Sequence, residues 1–239
     1  MQQVHRDRRR EHRDQGAYAG LRGKFAVGLR AGGIRVLMCH SPSLVPWRRI
    51  PGRQRGGAVA VIVVTGIQAA GKSTVAQGLA ERLERSVHVR GDLFRRMVVN
   101  GRVEMGPADP PAEALRQLRL RYALAATVAD GYAEAGFDVV LQDIVLGEDL
   151  TAMLAAIKHR PLYAVVLAPR AEVVQARDEE RRARRGKVAY KPGDEGVTDL
   201  DRYLREHTPR TGLWLDTSDQ TPAQTVDEIL ARVWTEGLV

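Results

Sequence analysis

Residues 66–73 match the complete G-x-x-x-x-G-K-[ST] phosphate-binding pattern, which constrains the fold more than any other feature of this sequence. A short β-branched run precedes it at residues 59–64, as expected for a buried parallel strand. After the pattern, apolar residues recur at every fourth position, as they would on one face of a helix. They are Val75, Leu79 and Leu83. A strand, a glycine turn and a helix in this order predict a phosphate-binding loop, or P-loop.

The predicted P-loop is a candidate site for a nucleoside triphosphate. Its glycines let the backbone turn tightly, so that N–H groups and the following helix N-terminus face the phosphates. We expect Lys72 to reach the β- and γ-phosphates and the Ser73 hydroxyl to ligate Mg²⁺. The predicted cofactors are therefore ATP and Mg²⁺, with an ordinary glycine-rich turn as the alternative. The predicted cofactor-binding residues are Gly66, Ile67, Gln68, Ala69, Ala70, Gly71, Lys72, Ser73 and Thr74.

Length and composition favour one α/β domain with an extension. The chain has 239 residues, and its hydrophobic content of 44% is enough for a proper core. It has no run close to the roughly 18 apolar residues of a membrane span, so no membrane partner is expected. The single cysteine, Cys39, excludes an internal disulfide framework and a cysteine-based zinc cluster, and it fits a cytoplasmic protein.

The net charge of +8 belongs to the N-terminal extension. Residues 1–57 carry 13 Lys and Arg against three Asp and Glu, whereas residues 58–239 have a slight acidic excess. The extension lacks a sustained hydrophobic period, so we expect it to be disordered or weakly structured. It could be a nucleic-acid-contacting arm, a targeting segment, an inert tail or sequence upstream of a later start at Met38. The domain itself is not expected to bind nucleic acid.

From residue 58 onward, predicted strands alternate with helices. Further strands are predicted at residues 87–90, 139–141, 163–167 and 213–215. A long helix should begin near Asp109 as its N-cap and end at Gly136, with an apolar face at Leu115, Leu118, Tyr122, Ala125, Ala129 and Tyr132. A capping box, Thr221 with Gln224, predicts the start of the last helix. The pattern predicts an α/β fold with a five-stranded parallel sheet sandwiched by helices.

Two aspartates follow strands of this predicted sheet. Asp92 comes just after the second strand and Asp143 just after the third. Ligands of such sheets bind at the carboxyl ends of the strands, so both residues should lie near the P-loop. We expect Asp143 to hold Mg²⁺ and Asp92 to accept a proton from a substrate hydroxyl. Alternatively, Asp92 caps a helix and Asp143 closes a turn.

An arginine-rich segment is a candidate lid over the phosphates. Arg177, Arg181 and either Arg184 or Arg185 share one helical face. A lid spanning about residues 170–195 could close its arginines over the triphosphate and neutralise charge in the transition state. The alternative is a solvated helix in which acidic residues alternate with the arginines. We name Arg177 and Arg181 as the candidate catalytic arginines, together with Lys72 and Asp92.

The motifs together resemble those of small P-loop kinases related to chloramphenicol phosphotransferase. The resemblance rests on residues 63–74, residues 89–92, the segment 135–147, the arginine-rich lid and the terminal block 212–230. It implies a P-loop nucleoside triphosphatase fold of the nucleoside-monophosphate and shikimate kinase type. It also implies that Asp92 is the general base for the acceptor hydroxyl. One departure is Gln142 before Asp143, where that family often has two adjacent acidic residues.

These observations predict an ATP-dependent kinase that phosphorylates a hydroxyl of a small molecule, either an antibiotic or a metabolite. A kinase of the zeta-toxin type, acting on a nucleotide sugar, is one alternative, and residues 90–95 also fit it. A non-kinase ATPase or nucleotide-binding switch is the other. The irregular loop at residues 100–111 differs from that of the resembled family, so chloramphenicol itself is not assumed to be the acceptor.

Overall fold

The computed structural model describes residues 58–105, 110–185 and 196–239. The basic extension, Asp109 with its predicted capping role and the end of the predicted lid (186–195) lie outside the described residues. The strands are β1 (Val61–Thr65), β2 (Ser86–Arg90), β3 (Asp138–Gln142), β4 (Leu162–Leu167) and β5 (Leu213–Leu215). They form one sheet in the order β2-β3-β1-β4-β5, and every pairing is parallel. The predicted fold class is confirmed.

Helices cover the sheet because its central strands are apolar on both faces. Every residue of β1, β3 and β4 is buried, as expected for parallel strands between two helical layers. Helix α1 packs against α7, and α3 packs against both α2 and α4. The helices are α1 (Lys72–Arg82), α2 (Asp92–Arg96), α3 (Ala112–Glu134), α4 (Glu148–Ala156), α5 (Ala171–Arg185), α6 (Val197–His207) and α7 (Pro222–Glu236).

Local sequence signals set two helix ends as predicted. Gly136, with a φ of +83°, follows the end of α3. At the start of α7, the Thr221 hydroxyl accepts a hydrogen bond from the Gln224 backbone N–H at 3.3 Å. The Gln224 side chain accepts one from the Thr221 N–H at 2.9 Å, which completes the capping box.

One expectation about the helices is wrong, and one helix has no counterpart among the predicted elements. Tyr132 was assigned to the buried face of α3, but it is 43% exposed and packs edge-on against Phe137. The small side chain of Ala133 is buried at that end of the helix instead. Helix α6 is not among the predicted elements, because its few apolar residues lie in a strongly charged sequence; Leu204 is the one that is fully buried. Within the described parts of the chain, no helix combines the length and apolar character needed to cross a bilayer.

The strand register brings the predicted functional segments to one edge of the sheet. Gln142, the last residue of β3, pairs with Val64 of β1 on one side and with Arg90 of β2 on the other. The P-loop, Asp92 and Asp143 therefore all follow the carboxyl ends of three adjacent strands. This is the edge at which sheets of this kind bind ligands.

Candidate active site

The P-loop joins β1 to α1 through backbone conformations that glycine favours. Gly66 has a φ of +142° and Gly71 a φ of +97°. A Cβ atom at Gly66 would lie 2.4 Å from the Leu167 carbonyl oxygen, so no other residue fits there without a shift of the backbone. Helix α1 begins at Lys72, directly after Gly71. The loop thus leads into a helix N-terminus, whose free N–H groups attract anions.

Lys72 is held inside this loop. Its side chain is buried, and Nζ donates a hydrogen bond to the Ile67 carbonyl oxygen at 2.7 Å. Burial, helped by the charges of Arg181 and Arg121, lowers the pKa of Lys72 to about 7, and the charge of Asp92 opposes this shift. A lysine in this state gains an anionic partner when phosphate binds beside it, and the phosphate in turn favours its charged form.

Oxygen donors suited to Mg²⁺ lie at the first turn of α1. The Ser73 hydroxyl donates to the Gln142 side-chain oxygen at 3.3 Å, and Gln142 is buried. Hydroxyl and amide oxygens are hard donors that suit this cation, which is commonly bound through one or two protein groups together with phosphates. In the described segments, there is no group of three or more His, Cys, Asp or Glu residues that could hold a metal. The donors fit a Mg²⁺ ion bound mainly by nucleotide phosphates.

Asp143 is engaged by an arginine that the sequence reasoning did not identify. Its Oδ2 atom accepts from Arg121 Nε at 2.7 Å, and its Oδ1 atom accepts from Arg121 Nη2 and from the Ile144 N–H. Gly91 makes this possible, since a Cβ atom there would lie 2.0 Å from Asp143 Oδ2. The role of Asp143 as a magnesium ligand stays a prediction, and in that role its oxygen atoms would be shared between Arg121 and the metal ion or a water bound to it.

Arg121 could have been found from helical spacing. It lies three residues after Leu118 and four before Ala125, which places it at the border of the buried face of α3. Its side chain is only 12% exposed. Nothing local identifies the partner, because Asp143 is distant in the sequence and follows β3.

Asp92 lies beside the P-loop, as the strand ends predicted. It is the first residue of α2, and no side-chain capping hydrogen bond forms at that helix start. Its Oδ2 atom is 2.6 Å from Arg96 Nη2, while its buried Oδ1 atom accepts no hydrogen bond and lies 3.8 Å from Arg90 Nε. The charge of Asp92 also acts on Lys72, where it opposes the lowering of the pKa of that lysine. A carboxylate therefore lies near the lysine expected to hold the transferred phosphate.

The two candidate lid arginines differ in position. Arg181 lies near Lys72, since its charge lowers the pKa of the lysine. Arg177 instead donates from Nη2 to the Thr217 carbonyl oxygen at 2.9 Å, on the loop between β5 and α7. The side chains of Arg184 and Arg185 lie outside the described residues. Of the described pair, Arg181 is the arginine whose charge acts on Lys72.

The family is established by a sequence comparison. The family model described as AAA domain matches residues 61–209, more than half of the chain. The chain belongs to the AAA domain family. No curated protein matches the sequence. The matched region of this AAA domain protein includes the P-loop, Asp92, Asp143 and both candidate lid arginines.

Solved structures similar to this AAA domain protein are P-loop kinases and related proteins. A sugar kinase from Janibacter sp. HTCC2649 superposes with a TM-score of 0.53 at 19% identity, covering 73% of this chain and 93% of that one. The tunicamycin resistance protein of Deinococcus radiodurans gives a TM-score of 0.51 at 21% identity, covering 73% and 95%. At such identities the comparison shows the fold alone. The more specific resemblance to chloramphenicol phosphotransferase therefore stays a prediction.

Proposed function

We propose that this AAA domain protein is an ATP-dependent kinase that transfers the γ-phosphoryl group to a hydroxyl of a small molecule. The observation that carries the proposal is the strand register, which brings the P-loop, Asp92 and Asp143 to one edge of the sheet. A pure nucleotide switch needs a lysine at the phosphates, but it does not need a carboxylate beside the reacting end of the nucleotide.

In this proposal, the described residues would supply the parts that phosphoryl transfer requires. Lys72 would bind the β- and γ-phosphates, and Arg181 would neutralise charge that develops on the transferred group. The Asp92 carboxylate would orient the acceptor hydroxyl and accept its proton. Ser73 and Gln142 would contact Mg²⁺, which when bound neutralises phosphate charge. Catalysis then comes from positioning and electrostatics rather than from a covalent intermediate.

The resemblance indicates only a broad class of phosphoryl acceptor. Hydroxylated antibiotics and metabolites are the first compounds to test, because the motifs resemble those of chloramphenicol phosphotransferase relatives. A nucleotide sugar is the alternative acceptor, and the arginines around Asp92 favour it. A non-kinase ATPase would consume ATP without labelling any acceptor.

A transfer screen with γ-labelled ATP tests the proposal. The full chain is incubated with Mg²⁺ and with panels of hydroxylated antibiotics, nucleosides, sugars and nucleotide sugars. Lys72→Ala should abolish both labelling and stabilisation by ATP, because it removes the phosphate-binding charge. Lys158→Ala is the matched control, since Lys158 is an exposed lysine in the connection between α4 and β4. Equal turnover by the wild type and Lys72→Ala would overturn the assigned phosphate site.

A further inference from the structure

Five arginines gather next to the proposed catalytic carboxylate, and we call them the arginine cluster. They come from the end of β2, from α2, from the loop after α2 and from α3. The cluster consists of Arg90, Arg95, Arg96, Arg102 and Arg121. The carboxylates paired with them are Asp92, Glu104 and Asp143.

Two carboxylates of the cluster are each shared by two arginines. Glu104 is paired with Arg95 through one oxygen, and its other oxygen lies 3.2 Å from Arg102 Nε. Asp92 lies between Arg96 and Arg90, at 2.6 and 3.8 Å. Each of these carboxylates therefore leaves one positive charge without a full partner.

The positive charges also act on one another. Burial lowers the pKa of Arg95, and the neighbouring Arg102 and Arg96 lower it further. Arg95 in turn lies near Arg121, whose pKa falls mainly through burial and partly through that charge. Arg121 forms two hydrogen bonds with Asp143, so the charge of Asp143 is already matched by that arginine. The cluster keeps a positive excess of about two charges, close to the charge of a phosphate group.

We propose that the phosphoryl acceptor carries an anionic group, of phosphate or carboxylate chemistry, that binds the arginine cluster. This inference rests on the proposed kinase function and specifies its substrate class. Guanidinium groups bind such anions through paired N–H donors. The anion would lie beside Asp92, where it could hold the acceptor while its hydroxyl meets the carboxylate. When Asp92 turns to that hydroxyl, the anion supplies Arg90 and Arg96 with a replacement partner.

Anion binding to the full chain tests the inference directly. The P-loop is first filled with Mg²⁺ and the non-hydrolysable analogue AMP-PNP. Sulfate, malonate or chloride is then titrated at low millimolar concentration while the melting temperature is recorded. The variants are Arg95→Gln and Arg102→Gln, with Arg95→Lys to keep the charge without the paired donors. Arg116→Gln is the control, because Arg116 pairs with Glu113 on α3 and not with the cluster.

We expect saturable stabilisation of the wild type and of Arg116→Gln by sulfate, by malonate or by both. Apparent affinity should fall about tenfold in Arg95→Gln and Arg102→Gln, the usual effect of losing one charged hydrogen bond. A response to sulfate alone assigns phosphate chemistry, and a response to malonate alone assigns carboxylate chemistry. Stabilisation no greater than that by chloride, or equal affinity in the wild type and both glutamine variants, overturns the inference.

The same samples separate this inference from the kinase proposal. If Mg²⁺ and AMP-PNP fail to stabilise the wild type, the nucleotide site is wrong and the kinase proposal falls. The anion titration is then repeated on Lys72→Ala without nucleotide. Lys72→Ala removes the phosphate-binding lysine of the P-loop and leaves the arginine cluster intact. If the Lys72→Ala, Arg95→Gln double variant loses the anion binding that Lys72→Ala shows, the arginine cluster is still supported as the anion site. If the double variant binds the anion as tightly as Lys72→Ala, that assignment is refuted.

Discussion

Arg121 and Asp143 form a buried ion pair in which two guanidinium nitrogens meet the two carboxylate oxygens. The Arg121 Nε to Asp143 Oδ2 distance is 2.7 Å, and only 2% of the Asp143 side chain is exposed. The pair fixes α3 against the end of β3, next to the P-loop. It also means that any metal ion near Asp143 would share the carboxylate with Arg121.

Removing one member of this pair should destabilise the folded protein. Arg121→Met leaves a buried carboxylate without its counter-charge, so we expect a loss of about 3 kcal/mol in the free energy of unfolding. Denaturant titration measures it. Arg116→Met serves as the control on the same helix, and it should change stability by less than about 1 kcal/mol because its ion pair is exposed. Equal small losses in both variants would contradict the buried pair.

Gly66→Ala should damage the P-loop. The added Cβ would collide with the Leu167 carbonyl oxygen, and the φ of +142° is one that alanine avoids. We expect a loss of about 2 kcal/mol in stability, together with loss of stabilisation by Mg²⁺ and ATP. Gly131→Ala is the control, since nothing lies within 4 Å of its added Cβ in α3. That change should be neutral or stabilising by up to about 1 kcal/mol.

Lys72 should make nucleotide binding depend on pH. Its pKa in the folded chain is about 7 against 10.5 for a free lysine, so the unfolded chain binds more protons between these values. The stability of the nucleotide-free protein should therefore rise from pH 7 toward pH 10.5 through this group. Bound phosphate restores the lysine charge, so binding of Mg²⁺ and ATP at pH 8.5 should take up about one proton.

Calorimetric titrations in two buffers of different ionisation enthalpy measure that proton uptake. At pH 6, where Lys72 is already largely charged, the uptake should nearly vanish. Proton uptake that is the same at pH 6 and pH 8.5 would show that Lys72 is not the group that changes protonation.

Much of the fold and part of the site follow from local sequence. The five strands and the P-loop were predictable because apolar runs, glycines and helix caps act over a few residues. Helix α6 was missed because its apolar residues, Val197, Leu200 and Leu204, lie in a strongly charged sequence. The exposure of Tyr132 depends on how α3 sits on the sheet, which helical spacing alone does not fix.

The arrangement around the site was less predictable, for a physical reason. Strand order decides which segments meet, so the positions of Asp92 and the P-loop could be inferred from the strand ends. The Arg121–Asp143 pair depends on tertiary contact between α3 and β3, and several arginines of α3 were equally suitable partners by sequence. The same holds for Arg177, whose contact with Thr217 needs the position of β5.

The most direct test of the central claim compares the wild type with Asp92→Asn in single-turnover transfer from γ-labelled ATP. A small-molecule cell extract and the compound panels provide acceptors, and affinity for Mg²⁺ and ATP is measured on the same samples. We predict a labelled acceptor with the wild type, and transfer slower by about 10²–10⁴ in Asp92→Asn at unchanged ATP affinity. Transfer by Asp92→Asn at the wild-type rate, or release of labelled phosphate to water with no labelled acceptor, would contradict the account.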